Sequence, residues 1–179
     1  VSLDLVAEKL GVTGPALLKR FGSRQKLMIE ALKPPEIPTW VEQHRALDGR
    51  PLQEQLETLF TDIWTFFSEA VPCVMALRES GIEDQLWQKA VGPGPLRGLT
   101  ALVKWLELAQ GEALIDSDDL ETAAYTMLGA LHMRTITTHI TRQSMATRHH
   151  RHHLRGLASF FAGALAPKAR ASKPRQAKA

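Results

Sequence analysis

Residues 1–32 have the sequence VSLDLVAEKLGVTGPALLKRFGSRQKLMIEAL, in which apolar residues at helical spacing alternate with residues that cap helices. The first apolar group follows the i, i+3, i+4, i+7 pattern behind Ser2, a good N-cap. Gly11 can end such a helix in a left-handed conformation. The pattern therefore predicts a first helix between Ser2 and Gly11. Its apolar positions are Leu3, Val6, Ala7 and Leu10.

Two more helices are predicted in the same stretch. The second has Thr13 or Gly14 as its cap and Pro15 in its first turn, where a missing N–H costs nothing, and it extends to about Phe21. The third begins after the break at Gly22-Ser23. Its apolar positions are Leu27, Met28, Ala31 and Leu32.

The first two helices have the residues needed for two helices that cross around a tight turn. A crossing of this kind needs a small residue, a turn glycine and an apolar anchor, and Ala7, Gly11 and Leu17 stand at these positions. Val12 and Phe21 are predicted to fill the space between the helices. The pattern predicts a helix-turn-helix whose second helix enters the DNA major groove. The predicted DNA-binding residues are Ser2, Thr13, Gly14, Pro15, Ala16, Leu18, Lys19, Arg20 and Arg24.

This stretch resembles the N-terminal signature of the tetracycline-repressor (TetR) family. The matching positions are Val6-Ala7, Gly11-Val12-Thr13, Leu17, Phe21, Arg24 and Leu27. The resemblance implies an all-helical homodimer with a DNA-binding head and a divergent body that binds a small effector. It also implies a transcriptional regulator, with repression as the expected mode and a near-palindromic operator as the expected DNA partner.

The signature has three departures and lacks one element. Leu18 stands where the family usually has a tyrosine, Gly14-Pro15 replaces a Lys-Gly-like pair, and Arg24 replaces a lysine while keeping its charge. The family's first helix has no counterpart, so we expect additional residues upstream of Val1.

Composition and charge agree with a soluble DNA-binding protein. The chain has 179 residues, of which 44% are hydrophobic, and its net charge is +3. The charge is unevenly distributed: residues 1–33 carry +3, residues 167–179 carry +5, and the remaining residues carry −5. Basic ends are typical of nucleic-acid binding, although basic tails are also common. No apolar run reaches the roughly 20 residues of a membrane span. With Cys73 as the single cysteine, we expect a cytoplasmic protein without a membrane partner.

The remaining chain has helical periodicity and no convincing strand, so the predicted fold is all-α. We divide it into a DNA-binding head in residues 1–33, a helical-bundle body in residues 34–166 and a basic disordered tail in residues 167–179. Pro34, Pro35 and Pro38 mark the boundary between head and body. Within the body we predict a long helix that Pro72 interrupts, with shorter helices at 75–79 and 83–90. Another helix follows the Gly-Pro break at 92–95, and two more span 116–141 and 151–165.

The predicted 116–141 helix is apolar on more than one side, whereas a single core needs only one apolar stripe. We interpret the second stripe as a homodimer interface with the last helix, and the alternative is a helix buried in the centre of one monomer. His132 and His139 are interpreted as residues of this interface. The predicted interface residues are Ala123, Ala130, Met133, Ile136, Ile140, Leu154, Leu157 and Phe161.

Aromatic and sulfur-containing side chains of the body are candidates for an apolar effector pocket. The effector would be a small hydrophobic molecule, and the alternative for each residue is ordinary core packing. The predicted ligand-binding residues are Phe60, Trp64, Phe67, Met75, Trp87, Trp105, Tyr125 and Met127, with Cys73 beside them.

The cluster of His149, His150, His152 and His153 is interpreted as a solvated loop between helices, since four histidines in five residues cannot all reach one metal ion.

No nucleophile elbow, phosphate-binding glycine loop, HExxH or paired-carboxylate motif occurs, so we expect no enzyme, catalytic residue, metal or cofactor. The alternative function is a helical small-molecule-binding or interaction protein without sequence-specific DNA binding, whose basic ends contact membranes or RNA.

Overall fold

The computed structural model describes residues 2–35, 37–141 and 147–167, and this part of the chain forms nine helices and no strand. The all-α prediction is confirmed. The predicted basic tail lies outside the described residues except for Pro167. The helices are α1 (Leu3–Lys9), α2 (Gly14–Phe21), α3 (Arg24–Leu32), α4 (Thr39–Gln43), α5 (Leu52–Glu79), α6 (Asp84–Val91), α7 (Gly94–Gly111), α8 (Leu120–Thr141) and α9 (Thr147–Ala164).

Hydroxyl caps start the first three helices at the positions that the sequence predicts. The Ser2 hydroxyl accepts a hydrogen bond from the Leu5 N–H at 3.2 Å, and Thr13 accepts one from the Ala16 N–H at 3.3 Å. Ser23 accepts from the Lys26 N–H at 3.2 Å. Each cap satisfies one of the N–H groups that a helix leaves unpaired in its first turn.

The centre of the fold is α5, which packs against α8 and α9 along its length and against α3, α4 and α6 at other points. Its buried side chains meet those of α8 and α9 in one apolar core, and α7 closes the core by packing against α8. The fully buried large side chains of this core include Leu56, Leu59, Phe60, Ile63, Leu102, Leu106, Met127, Leu131 and Leu154.

The predicted break of the long helix at Pro72 is wrong. Instead, α5 continues through Pro72 to Glu79 and includes the predicted 75–79 helix. Proline removes one backbone hydrogen bond, but Val71 and Leu77 are buried on either side of it. Burial of these side chains favours a continuous helix over a break at Pro72, because tertiary context can override local helix propensity.

The predicted starts of α8 and α9 are corrected by about one turn each. Helix α8 begins at Leu120 rather than Asp116, because the Asp119 carboxylate caps it by accepting the Thr122 N–H at 2.8 Å. The preceding Asp116 N–H donates to the Leu165 carbonyl at 2.8 Å, which ties this segment to the end of α9. Helix α9 begins at Thr147 rather than Arg151.

Replacing Pro72 with alanine restores a backbone donor inside α5 and removes the proline ring from the preceding turn. We expect the free energy of unfolding to rise by about 2 kcal/mol, less than the full penalty of an internal proline because the unfolded chain also gains freedom. Denaturant unfolding measures this change. The matched control, Pro51→Ala at the start of α5, should lower stability by less than about 1 kcal/mol. A clear loss of stability in Pro72→Ala would contradict the expectation.

Candidate functional site

The crossing of α1 and α2 buries two of the residues that the sequence assigns to it. Ala7 is 3% exposed and Leu17 is 6% exposed. Gly11 has a φ of 65°, a left-handed conformation that allows the Val12 N–H to reach the Ala7 carbonyl at 3.0 Å. Phe21 is half-buried, but Val12 is exposed and does not fill the space between the helices.

Most of the predicted DNA-binding side chains lie together on an exposed surface around α2. Thr13 and Ser2 use their hydroxyls as helix caps, and Arg24 begins α3. The guanidinium of Arg20 lies over the Phe21 ring, 5.6 Å from its centroid. The other exposed residues of this surface are Pro15, Ala16, Leu18 and Lys19.

Gly14 corrects the predicted surface, because it is buried where α2 meets α1. A Cβ atom at this position would lie 3.1 Å from Oδ1 of Asp4 and 3.7 Å from Cδ2 of Leu3. Gly14 therefore permits the close approach of two helices and does not present a contact to a ligand. In the Gly14-Pro15 pair, which departs from the TetR-like signature, Gly14 packs between helices and Pro15 is exposed.

Helix α3 joins the three N-terminal helices to the rest of the described fold. Helix α3 packs against α5, and Nε2 of Gln25 donates to the Gly81 carbonyl at 3.4 Å. The proline segment that follows α3 is part of a cavity wall. The same short segment therefore joins α3 to the cavity wall.

An apolar cavity of about 580 Å³ lies between α5, α7, α8 and the segment that joins α3 to α4. Its volume suits a small organic molecule. The segment contributes Pro34, Pro35 and Pro38, and α4 contributes Trp40. Helix α5 contributes Phe66, Phe67, Ala70, Val71, Val74 and Met75. The remaining lining residues are Val91, Gly94, Pro95, Leu96, Gly98, Leu99, Tyr125, Leu128, Gly129, His132 and Ile136.

The structure brings only three of the eight predicted ligand-binding residues to this wall, namely Phe67, Met75 and Tyr125. Phe60, Trp105 and Met127 lie in the core instead, and their burial reflects packing between helices. Trp64 contacts His150, and Trp87 lies under the guanidinium of Arg78, 5.3 Å from its ring centroid. Cys73 is half-buried and does not line the cavity.

Trp40 and the three prolines are cavity residues that sequence patterns did not identify. Trp40 is 2% exposed, and its Cζ2 would lie 3.3 Å from a Cβ atom placed on Gly98. The short helix α4 that carries Trp40 was not predicted either. The sequence signal for Trp40 was its position directly after a proline-rich break, because a large aromatic side chain at such a turn is expected to be buried against neighbouring helices.

The described wall of the cavity has no Lys, Arg, Asp or Glu side chain, and its titratable residues are Tyr125 and His132. The His132 ring stacks on Phe67 with ring centroids 4.9 Å apart. Burial lowers the pKa of His132, so the imidazole is neutral near pH 7. The cavity thus suits an uncharged apolar molecule with one or two hydrogen-bonding groups. His132 was assigned to the dimer interface from the sequence and lies at the cavity instead.

The predicted dimer-interface residues divide into inward-facing and outward-facing groups. Leu154 is 1% exposed and Phe161 is 6% exposed, and the Phe161 ring packs edge-on against Phe60 at 5.8 Å. These two belong to the monomer core, which corrects their assignment. Ala123 and Leu157 are half-buried against the core, Ala130 is also half-buried, and Ile136 lines the cavity.

Exposed apolar side chains remain on α8 and on α9. Met133 is 63% exposed and Ile140 is 64% exposed, as the interface prediction requires. Tyr125 and Phe160 are also largely exposed, at 56% and 65%. We call Met133 and Ile140 of α8 and Phe160 of α9 the outer apolar face, and Tyr125 is left out of it because it lines the cavity.

The interpretation of residues 149–153 as a loop is wrong, because all four histidines lie in α9. His149 and His152 are exposed, whereas His150 is buried against Trp64 with ring centroids 3.5 Å apart. Burial lowers the pKa of His150 and of His153, and the nearby charge of Arg134 lowers both further. Within the described residues, no group of three or more His, Cys, Asp or Glu side chains is placed to hold a metal ion.

Comparison of the chain with protein-family models, with curated proteins and with solved structures finds no match. In the described ranges, none of the helices combines the length and apolarity that a membrane span needs.

Three histidines on α8 and α9 with lowered pKa values predict how stability depends on pH. His132, His150 and His153 have lower pKa values in the folded chain than the ordinary 6.5, so the unfolded chain binds protons more readily. Stability should therefore fall as the pH drops from about 7.5 to about 5.5. Denaturant unfolding across this range, in a buffer without phosphate, measures the slope.

The slope should become shallower in His150→Gln, because one proton-binding site that differs between the two states is removed. His152→Gln, which changes an exposed histidine of the same helix, should leave the slope unchanged. A profile that is flat in the unmodified protein would contradict the expectation.

Proposed function

We propose that this chain is a DNA-binding transcriptional regulator that responds to a small ligand. The observation that carries the proposal is the α1–α2 crossing, with Ala7 and Leu17 buried and the side chains of Thr13, Lys19 and Arg20 exposed on one surface. The second helix of such a pair can enter the major groove while neighbouring residues contact phosphates. The resemblance to the TetR family over residues 1–32 supports the same proposal.

The proposal includes a homodimer on a near-palindromic operator. One α2 helix offers few base contacts, and two copies about 34 Å apart would read two half-sites. The outer apolar face on α8 and α9 supports this part, because exposed apolar patches of this kind often mark protein contacts.

The apolar cavity supports control by a ligand. Its wall includes Pro34, Pro35 and Pro38, which connect α3 to the body. A ligand that fits better when α3 is displaced would reduce the fraction of molecules able to bind DNA, since only differential affinity shifts a conformational equilibrium. Repression in the absence of ligand is the mode that the family resemblance favours.

Selection of random-sequence DNA with the full chain tests the main proposal. We expect enrichment of a two-fold symmetric sequence. Failure to enrich any sequence, together with binding of apolar molecules, would favour the alternative of a helical small-molecule-binding protein without sequence-specific DNA binding. The 580 Å³ cavity is the observation that supports this alternative.

Salt dependence of DNA binding identifies the phosphate contacts. Lys19→Ala should weaken binding to all sequences and reduce the slope of log affinity against log salt by about one, because one fewer counterion is released. The control Lys104→Ala removes an exposed lysine on α7, far along the chain from α2, and should leave the slope unchanged. Equal slopes for Lys19→Ala and the unmodified protein would show that Lys19 does not contact phosphate.

Trp40 provides an optical test of the cavity. Nile red, an uncharged apolar dye, should quench tryptophan fluorescence on binding, and Trp40→Phe should remove most of the quenching. Trp87→Phe should keep it, because Trp87 lies against Arg78 and outside the cavity wall. Quenching that survives in Trp40→Phe would place the bound dye elsewhere.

A charge on the outer apolar face should dissociate the dimer. Phe160→Asp removes apolar contact worth about 2 kcal/mol per copy, so the dimer dissociation constant should rise about a thousandfold. Sedimentation equilibrium at micromolar concentration measures it. Leu108→Asp, at an exposed leucine of α7, is the control and should remain dimeric. An unmodified protein that sediments as a monomer would overturn the homodimer proposal.

A further inference from the structure

Three nitrogen atoms on α8 and α9 are buried without a hydrogen-bond partner in the part of the chain that the structure describes. They are Nη2 of Arg134, Nε2 of His150 and Nε2 of His153. Buried polar atoms nearly always have partners, and a buried charge needs an opposite charge or several hydrogen bonds. The cluster therefore has the composition of a binding site whose occupant is a separate molecule.

Arg134 lies on α8, and His150 and His153 lie on α9. His150 is 9% exposed and is covered by the Trp64 ring of α5, with centroids 3.5 Å apart. His153 lies one helical turn further along α9, on the same face. Arg134 on α8 lies close enough to act electrostatically on both imidazoles.

The helices that carry Arg134, His150 and His153 contain almost no acidic residue that could pair with them. No Asp or Glu occurs anywhere in residues 122–179, so α9 and nearly all of α8 carry no acidic residue. On α5, Glu57 lies 3.4 Å from Nε of Arg155, and Asp62 lies 2.7 Å from Nε2 of His44. These two carboxylates are already engaged with other partners.

We propose that Arg134, His150 and His153 form a binding site for a small oxyanion, either a carboxylate or a phosphate group. A guanidinium pairs with two oxygen atoms of such a group at once, and each imidazole adds one N–H donor from Nε2. The adjacent guanidinium disfavours a metal cation at the two histidines. The site is separate from the apolar cavity and does not depend on the proposed DNA-binding function.

The electrostatics of the histidines agree with this assignment. Burial and the charge of Arg134 lower the pKa of His150, and the same two causes lower the pKa of His153. Both rings are thus neutral near pH 7, and a neutral imidazole in its Nε2-protonated form donates one hydrogen bond without adding another positive charge. The guanidinium remains the group that supplies the charge.

Thermal unfolding of the full chain in different salts tests the site. We expect inorganic phosphate or acetate to raise the melting temperature saturably, by about 5 °C, relative to chloride at equal ionic strength. A response to phosphate alone or to acetate alone identifies which oxyanion the site takes. Arg134→Gln should abolish the shift, and Arg151→Gln, at an exposed arginine of α9, should preserve it.

A second measurement keeps the test decisive if Arg134→Gln does not fold. In the unmodified protein, the imidazole C–H signals of His150 and His153 in NMR spectra should move together on titration with the anion. The signals of the exposed His149 and His152 should not follow the same saturation curve. Equal behaviour of all four histidines, the absence of any anion effect, or tight binding of Zn²⁺ at His150 and His153 would overturn the proposal.

Discussion

The buried stripe of α5 is the contact on which the other elements depend. Leu56, Leu59, Phe60 and Ile63 are completely buried, and they meet α8 and α9 in one apolar core. Removing this much apolar surface from water outweighs local penalties such as the hydrogen bond that Pro72 cannot make. The same helix contacts α3 and contributes one wall of the cavity. A single rigid helix therefore connects the N-terminal helices to the cavity and to α9.

Features of the fold that depend on neighbouring residues in sequence could be predicted. The hydroxyl caps Ser2 and Thr13 act over three residues, and helical periodicity is also a local property. The features that the sequence did not predict depend on contacts between residues that are distant in sequence. Pro72 lies inside a helix whose nearby side chains Val71 and Leu77 are buried, and Gly14 is buried because α1 lies against it.

The cavity could not be predicted because residue type does not distinguish a core residue from a lining residue. Phe60 and Phe67 lie seven residues apart on α5, yet Phe60 packs against Phe161 while Phe67 faces the cavity. The histidines of α9 also show that residue type alone does not predict burial. His149 and His150 are neighbours in sequence, and only the helical arrangement places one in solvent and the other against Trp64.

Three of the residues that lie between α3 and α4 and line the cavity are prolines. A proline ring fixes the backbone torsion φ near −65°, and Pro38 has a φ of −56°. Each of these prolines leaves the unfolded chain fewer backbone conformations to lose when it folds. This part of the cavity wall is therefore held in place at a lower cost in conformational entropy than three residues with freely rotating φ would require.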